Sequence, residues 1–336
     1  MRVRFKQSTD TFSNGLLVGK NGTTKNRHSK TIHRNRQKDA FSGRTYDEAY
    51  IQPFVFKYEL PCNPTTAFLT PAFRNKNTVM TPDIELEGRP RSVYKAALGV
   101  LADVKKGSVS PEDVFLEMLR LLILLKTEKR ERLESLLKEV KKSDEDLPLS
   151  AEAIVTLLTQ HLACKYSSRL PVLMVTAAYK ASEKYLGERV LNLHGHNAAD
   201  EQTGALGDIE ITLVDDEKII TGYEMKSKRV TKDDIDRAVQ KIIGKNIDNY
   251  IFITTDIIDP LVEEYAKSLY EKTGGTEFVI LDCIGFIRHF LHIFHRVRVQ
   301  FLDEYQALLL IEPDSAVGQP LKEAFLALRS AAQAQR

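Results

Sequence analysis

The sequence predicts an α/β (α+β) fold, a mixed sheet core flanked by helices, preceded by a helical N-terminal half and a basic N-terminal arm. Three observations predict it. Between residues 90 and 187 apolar side chains recur at helical spacing. From about residue 190 the period changes to two, and strand and helix patterns then alternate as β-β-α-β-α-β. Charge is also uneven: 11 of the 48 Lys and Arg residues, but only 2 of the 46 Asp and Glu residues, fall within residues 1–46.

The first 60 residues are rich in Thr, Asn, Gly and basic side chains, with a β-type stretch at Leu16-Leu17-Val18 and a hairpin signal at Asn21-Gly22. They read as a small basic β-rich region or an arm. Pro61, Pro64, Pro71, Pro82 and Pro90 then interrupt any regular element, giving a linker or irregular cap. A helix is expected over 92–105, apolar at Val93, Ala96, Ala97, Val100 and Leu101 and stopped by Gly107. Ser110-Pro111-Glu112-Asp113 reads as a helix start, with Ser at the N-cap, Pro in the first turn and acids at the positive end of the helix dipole. The segment to Lys142 is one long helix or two. Residues 151–165 and 172–186 add two more, split by Pro171.

Residues 207–214 and 218–226 alternate polar and apolar side chains around a short turn, so an antiparallel pair is expected. Thr231-Lys-Asp-Asp234 resembles a capping box. The apolar set Ile235, Ala238, Val239, Ile242 and Ile243 behind it marks an amphipathic helix. Residues 250–254 form a nearly all-apolar strand, 260–272 a helix and 278–281 another buried-type strand. The resulting division is 1–60 basic arm, 61–187 mostly helical, 188–312 α/β core and 313–336 C-terminal helical tail.

Composition removes several function classes. With 43% hydrophobic and 28% charged residues over 336 positions, the chain is of ordinary globular type. No apolar run approaches the ~18 residues of a membrane span, and the charged start has no apolar segment after it, so a cytoplasmic protein is expected. Cys62, Cys164 and Cys283 are scattered, which argues against a disulfide scaffold or structural zinc. Gly15-Leu-Leu-Val-Gly19-Lys20 is one spacer short of a phosphate loop, and no GxSxG is present. The arm carries a surplus of nine positive charges and the remainder a balance of −7. Such an arm can neutralise phosphates of nucleic acid, or can be a solvated terminus.

The chemistry concentrates in the first strand pair. Asp208, Glu210 and Thr212 share one face of the first strand, and Glu224, Lys226 and Lys228 share one face of the second. Ionised groups in a sheet core cost several kcal/mol unless paired or metal-bound. A divalent-metal phosphodiesterase site gives them a purpose. Asp208 and Glu224 are candidate Mg²⁺ ligands, the Met225 carbonyl a third oxygen, and Lys226 a group that orients or helps deprotonate the attacking water.

Gly207-Asp208, fifteen intervening residues, and Glu224-Met225-Lys226 on the next strand resemble the D…ExK signature of the PD-(D/E)XK nuclease superfamily, with Gly207 where that pattern has Pro. A narrower resemblance rests on Leu69-Thr-Pro-Ala-Phe-Arg-Asn75, the capped helix from Ser110 and the run His196-Asn-Ala-Ala-Asp-Glu-Gln-Thr-Gly-Ala-Leu-Gly-Asp208. These are similar to SacI-type type II restriction endonucleases over roughly residues 69–310. The resemblance implies Mg²⁺-dependent cleavage of double-stranded DNA at a short palindrome, with Mn²⁺ able to substitute. It also implies a homodimer and a partner methyltransferase that protects host DNA. GAGCTC, the prototype's site, is a candidate substrate.

Other residues are weighed against plainer roles. His194, His196 and Asn197 precede the first catalytic strand and are candidate DNA contacts, or a loop bonded to itself. Lys228, Gln240 and Lys241 are candidates for approach to DNA or the site, or belong to a solvated face. Glu183 or Glu188 is a possible extra carboxylate, or an ordinary surface acid. His289, His292 and His295 fit a packed amphipathic helix better than a metal site. Two rival functions stay open. One is a modification-dependent, repair or junction nuclease of the same fold, and the other is a DNA-binding module without turnover.

Overall fold

The computed structural model describes residues 47–62, 81–84, 91–142, 147–191, 193, 205–216 and 218–334, the side chains of 47–48 and 141–142 aside. The chain divides into two units, Met1–Glu131 and Arg132–Arg336. Residues 1–46, Leu69–Asn75 and the His194, His196 and Asn197 candidates lie outside the described residues.

In the first unit a π-helical turn, Asp47–Ile51, runs into α1, Gln52–Tyr58. The described end of the expected β-rich arm is therefore helical. Pro53 in the first turn of α1 accounts for this, because its fixed φ suits a helix start and its missing N–H costs nothing there. Helix α2, Arg91–Lys106, ends where Gly107 takes φ +78°. Helix α3, Pro111–Lys142, is a single element of 32 residues that begins in this unit and ends in the second. Its start is capped as the sequence suggests, Asp113 N–H donating to Ser110 Oγ at 3.3 Å.

The second unit is a five-stranded sheet between two helical layers. Helix α4, Ala151–Leu162, is capped by Ser150. A 3₁₀ turn, Ser167–Arg169, leads into α5, Leu170–Leu186. Pro171 thus opens α5, where a proline is tolerated, and does not precede it. The sheet comprises β1, Glu188–Val190; β2, Ile209–Leu213; β3, Ile219–Lys226; β4, Asn249–Thr254; and β5, Glu277–Asp282, in spatial order 1-2-3-4-5. The first three strands are antiparallel and the last three parallel. Helix α6, Lys232–Ile242, and helix α7, Pro260–Lys267, make the parallel crossovers. Helix α7 is five residues shorter than the pattern suggested, ending in turns from Ser268. After β5 come α8, Cys283–Ile293, a 3₁₀ turn, α9, Arg298–Ile311, and α10, Gln319–Ala334.

Alternation along the strands feeds two cores. Ile209, Ile211, Tyr223 and Ile253 face a larger core with Leu158 of α4, Leu173 of α5, Ile287 of α8, Phe301 and Tyr305 of α9 and Phe325 of α10. The segment expected as a helical tail is therefore part of that core. Leu206, Tyr250, Phe252, Phe278 and Ile280 face a smaller core with Ile235, Ala238 and Ile242 of α6 and Val262 and Ala266 of α7. Ile243, expected on the apolar stripe, is 67% exposed because α6 ends at Ile242 and Ile243 leaves the helical conformation. Among the described residues, no helix is long and apolar enough to cross a membrane.

Candidate active site

The site lies at the end of β2 and β3 where the antiparallel and parallel halves of the sheet meet. Ile209 pairs with Tyr223, and continuing that register by one residue sets Asp208 opposite Glu224. Directly opposed residues share a face, here the α6 side. Two residues further along β3, Lys226 returns to the same face.

The turn that delivers Asp208 is pinned at both ends of Leu206. Its N–H donates to the buried Glu210 carboxylate at 2.7 Å, and its carbonyl lies 2.8 Å from the Tyr250 hydroxyl. Gly207 follows, and a Cβ there would stand 2.3 Å from the Tyr223 carbonyl oxygen. That contact is with backbone and cannot relax cheaply. It supplies a physical reason for glycine where the superfamily pattern has proline. Asp208 then accepts the Met225 N–H on Oδ2 at 2.7 Å, which ties the two strands together at the site. The Met225 side chain packs against the larger core on the opposite face.

Glu224, Lys226 and two side chains of α6 form an alternating chain of charge. Asp234 Oδ1 is 3.2 Å from Lys226 Nζ, Lys226 Nζ is 3.0 Å from Glu224 Oε1, and Lys241 Nζ is 2.9 Å from Glu224 Oε2. Asp234 and Lys241 are seven residues apart, two turns of α6, so they share the face that overlies β3. The Tyr250 hydroxyl adds a contact to Glu224 Oε2 at 2.8 Å. All four charged side chains are between 12% and 26% exposed, which makes pairing, rather than solvation, the main compensation for their burial.

Protonation states follow from that chain. Burial pushes the Glu224 carboxyl up, but Lys241, Lys226 and Tyr250 outweigh it and hold the group below the usual carboxylate range. Burial likewise favours a neutral Lys226, and Glu224 and Asp234 reverse this, leaving the ammonium more firmly protonated than an ordinary lysine. In this arrangement Lys226 is a cation that can orient a water or a phosphate oxygen; it has no free pair with which to take a proton.

The remaining candidates are more dispersed. Lys228 is exposed beyond the end of β3, its carbonyl 3.3 Å from Thr254 Oγ1, and Gln240 is exposed on α6. Glu188 pairs with Leu213, at the other end of β2 from Asp208, roughly 17 Å away at ~3.4 Å per residue. It also lies on the face of Ile209 and Tyr223, and Glu183 belongs to α5, which packs on that same side. Neither is placed to add a carboxylate beside Asp208. Of the three histidines near the C-terminal end of α8, His289 is exposed, His292 meets Glu152 of α4 at 3.4 Å, and His295 sits in the following turn. Among the described residues no group of three or more His, Cys, Asp and Glu is placed to hold a metal ion.

Two participants carry no local signal that separates them from structural residues. Tyr250 reads as the start of an apolar strand, and Asp234 as a helix cap. Only the parallel register of β4 on β3 and the crossover of α6 bring them to Glu224 and Lys226.

The donor set is one of hard oxygens, two carboxylates on neighbouring strands with a backbone carbonyl adjacent, which suits a small divalent cation such as Mg²⁺. Both oxygens of Glu224 are held by ammonium groups, so a cation must exchange with one of them. Residues 147–255, which span α4 to the end of β4 and include all of these groups, match the family described as the SacI restriction endonuclease C-terminal domain. No curated protein matches the chain.

Proposed function

We propose that this SacI-type restriction endonuclease domain makes the protein a type II site-specific endodeoxyribonuclease, hydrolysing double-stranded DNA at a short palindrome with Mg²⁺ as cofactor. The observation that carries the reading is the coincidence of the family match with Asp208, Glu224 and Lys226 on one sheet face. Asp208 and Glu224 would hold the ion through carboxylate oxygens, with the Met225 carbonyl beside them. Mg²⁺, when bound, supplies a Lewis acid for the phosphoryl oxygens. Lys226, kept protonated, directs its N–H donors at the attacking water and the phosphate, fixing the line of attack and offsetting developing charge. Tyr250 and the pinned Leu206 keep Glu224 and Asp208 from drifting with the ends of their strands.

A palindromic site is matched by two-fold symmetry, so the active form is proposed to be a homodimer. A methyltransferase of the same specificity is the functional partner such an enzyme requires in its host. Mn²⁺ is expected to replace Mg²⁺, since it also takes carboxylate, carbonyl and water oxygens.

The test is cleavage mapping. Purified protein and its Lys226→Ala variant are incubated with unmodified phage DNA and Mg²⁺, and the fragment ends are sequenced. Discrete ends that share one palindrome and vanish with the variant are expected. Cleavage confined to modified or branched DNA would replace this reading with a repair or modification-dependent nuclease. No cleavage with any divalent metal would leave a DNA-binding module.

A further inference from the structure

Asp234 occupies the third helical position of α6, where a capping box ordinarily carries Glu or Gln. The cap is complete: Asp234 N–H donates to Thr231 Oγ1 at 3.3 Å, and Asp234 Oδ2 accepts from Thr231 N–H at 3.0 Å and from Thr231 Oγ1 at 2.7 Å. A cap uses only that oxygen. The other, Oδ1, meets Lys226 Nζ of β3 at 3.2 Å and, from one turn further along α6, the exposed Arg237 NH2 at 2.7 Å. The side chain is only 12% exposed. With both oxygens engaged the carboxylate has little rotational freedom, and its position is referred to the backbone of α6 by the cap.

Lys226 is the contrasting case, a four-carbon chain with free rotation about each bond. Glu224 Oε1 fixes it from one side at 3.0 Å. If that were its only partner, the ammonium would follow Glu224 whenever the carboxylate turned to a cation. Asp234 supplies a second anchor, on a different element, that is independent of the state of Glu224.

We propose that Asp234 is a positioning residue that sets the Lys226 ammonium for reaction through the capping box of α6, so that a helix cap also sets the geometry of the active site. This deepens, and rests on, the nuclease reading. Asp234 need not touch DNA or metal; its effect is exerted through Lys226.

Asp234→Asn separates the two jobs. The amide oxygen can still accept from Thr231, which retains the cap, but the amide nitrogen then faces Lys226 and Arg237 as a third donor. Ser150→Ala is the stability control. It removes the cap of α4, where Ser150 Oγ accepts from Ala153 N–H at 3.1 Å, and has no route to the site. Two measurements are made on the full chain. Single-turnover cleavage with saturating protein is expected to fall at least tenfold in Asp234→Asn, with DNA affinity in the absence of divalent ions unchanged within twofold, whereas Ser150→Ala cleaves as wild type. Reductive methylation of Lys226, followed by peptide mass spectrometry, is expected to speed up at least threefold in Asp234→Asn alone. Cleavage within twofold of wild type, a loss no larger than that of Ser150→Ala, or unchanged methylation of Lys226 would each overturn the proposal. Wild-type protein that cleaves no DNA would instead sink the nuclease reading, and the methylation rate would still decide whether Asp234 holds Lys226.

Discussion

Acidification is expected to destabilise the second unit through one histidine. His161 of α4 has no exposed surface, and its ring lies among Tyr305 and Phe325. Its Nε2 is 2.9 Å from the Leu321 carbonyl, which can only accept, so Nε2 carries the proton of the neutral ring. Nδ1, 2.9 Å from the Tyr305 hydroxyl, then accepts. A second proton on the ring would place a positive charge where no water reaches, even though the Tyr305 hydroxyl can turn to accept from Nδ1. Burial accordingly drives the pKa down from 6.5 to about 4, the bond to Leu321 recovering only part of the loss.

Well above pH 6.5 neither folded nor unfolded chain protonates His161, and the residue costs nothing. Between 6.5 and 4 the unfolded chain takes up a proton that the folded protein refuses, and stability falls. The loss is about 2 kcal/mol by pH 5 and saturates near 3 kcal/mol below pH 4. Urea unfolding followed by circular dichroism at 222 nm is the assay, because the chain has no Trp. His161→Gln keeps a donor for Leu321 and cannot titrate. At pH 7 the variant should be the less stable, and the gap should close by about 2 kcal/mol at pH 5. Other titrating groups are common to both proteins and cancel. A gap constant to within about 0.5 kcal/mol would mean that His161 is not buried neutral, and would refute the packing of α4 against α9 and α10 from which the number comes.

Three further perturbations probe the site and the arm. Gly207→Ala should abolish cleavage while leaving the circular dichroism spectrum intact, because the added methyl group must displace the Tyr223 carbonyl and with it Asp208; a variant that cleaves at half the wild-type rate or better would show that the turn can yield. Lys241→Met removes one of the two ammonium groups competing for Glu224, and should lower the Mg²⁺ concentration for half-maximal cleavage two- to fivefold, equivalent to ~0.5–1 kcal/mol for a partly exposed pair. An unchanged metal requirement with weaker DNA binding would assign Lys241 to the substrate instead. Deleting residues 1–46, with their surplus of nine positive charges, should weaken DNA binding and flatten its dependence on salt without changing the cleavage position; an unchanged salt slope would remove the arm from the interface.

The parts of this protein that were legible in its sequence are those fixed by local periodicity. A period of two placed β2 and β3, and with them Asp208 and Glu224 on one face, because in a strand the alternation of side chains is itself the geometry. The capping box at Thr231 announced α6 for the same reason: its bonds close within four residues. Elements whose existence depends on a distant partner left no such trace. Strand β1 is three residues long and is defined by pairing with β2 across a separation of more than twenty residues. The turn and helix over 47–58 were hidden by the composition of the first 60 residues, rich in Thr, Asn, Gly and basic side chains, which suits strands and loops.

The site divides along the same line. Asp208, Glu224 and Lys226 could be placed together from sequence because two adjacent strands carry them. Tyr250, Asp234 and Lys241 reach Glu224 and Lys226 only through the β3-α6-β4 crossover, whose handedness and depth no window of sequence contains. The crossover also resolves why three charges can stand in a sheet core that the sequence marks as costly. Asp234 and Lys241, two turns apart on α6, each meet an opposite charge on β3, and Arg237 closes the row on Asp234, so Glu224 is flanked by two ammonium groups and Lys226 by two carboxylates.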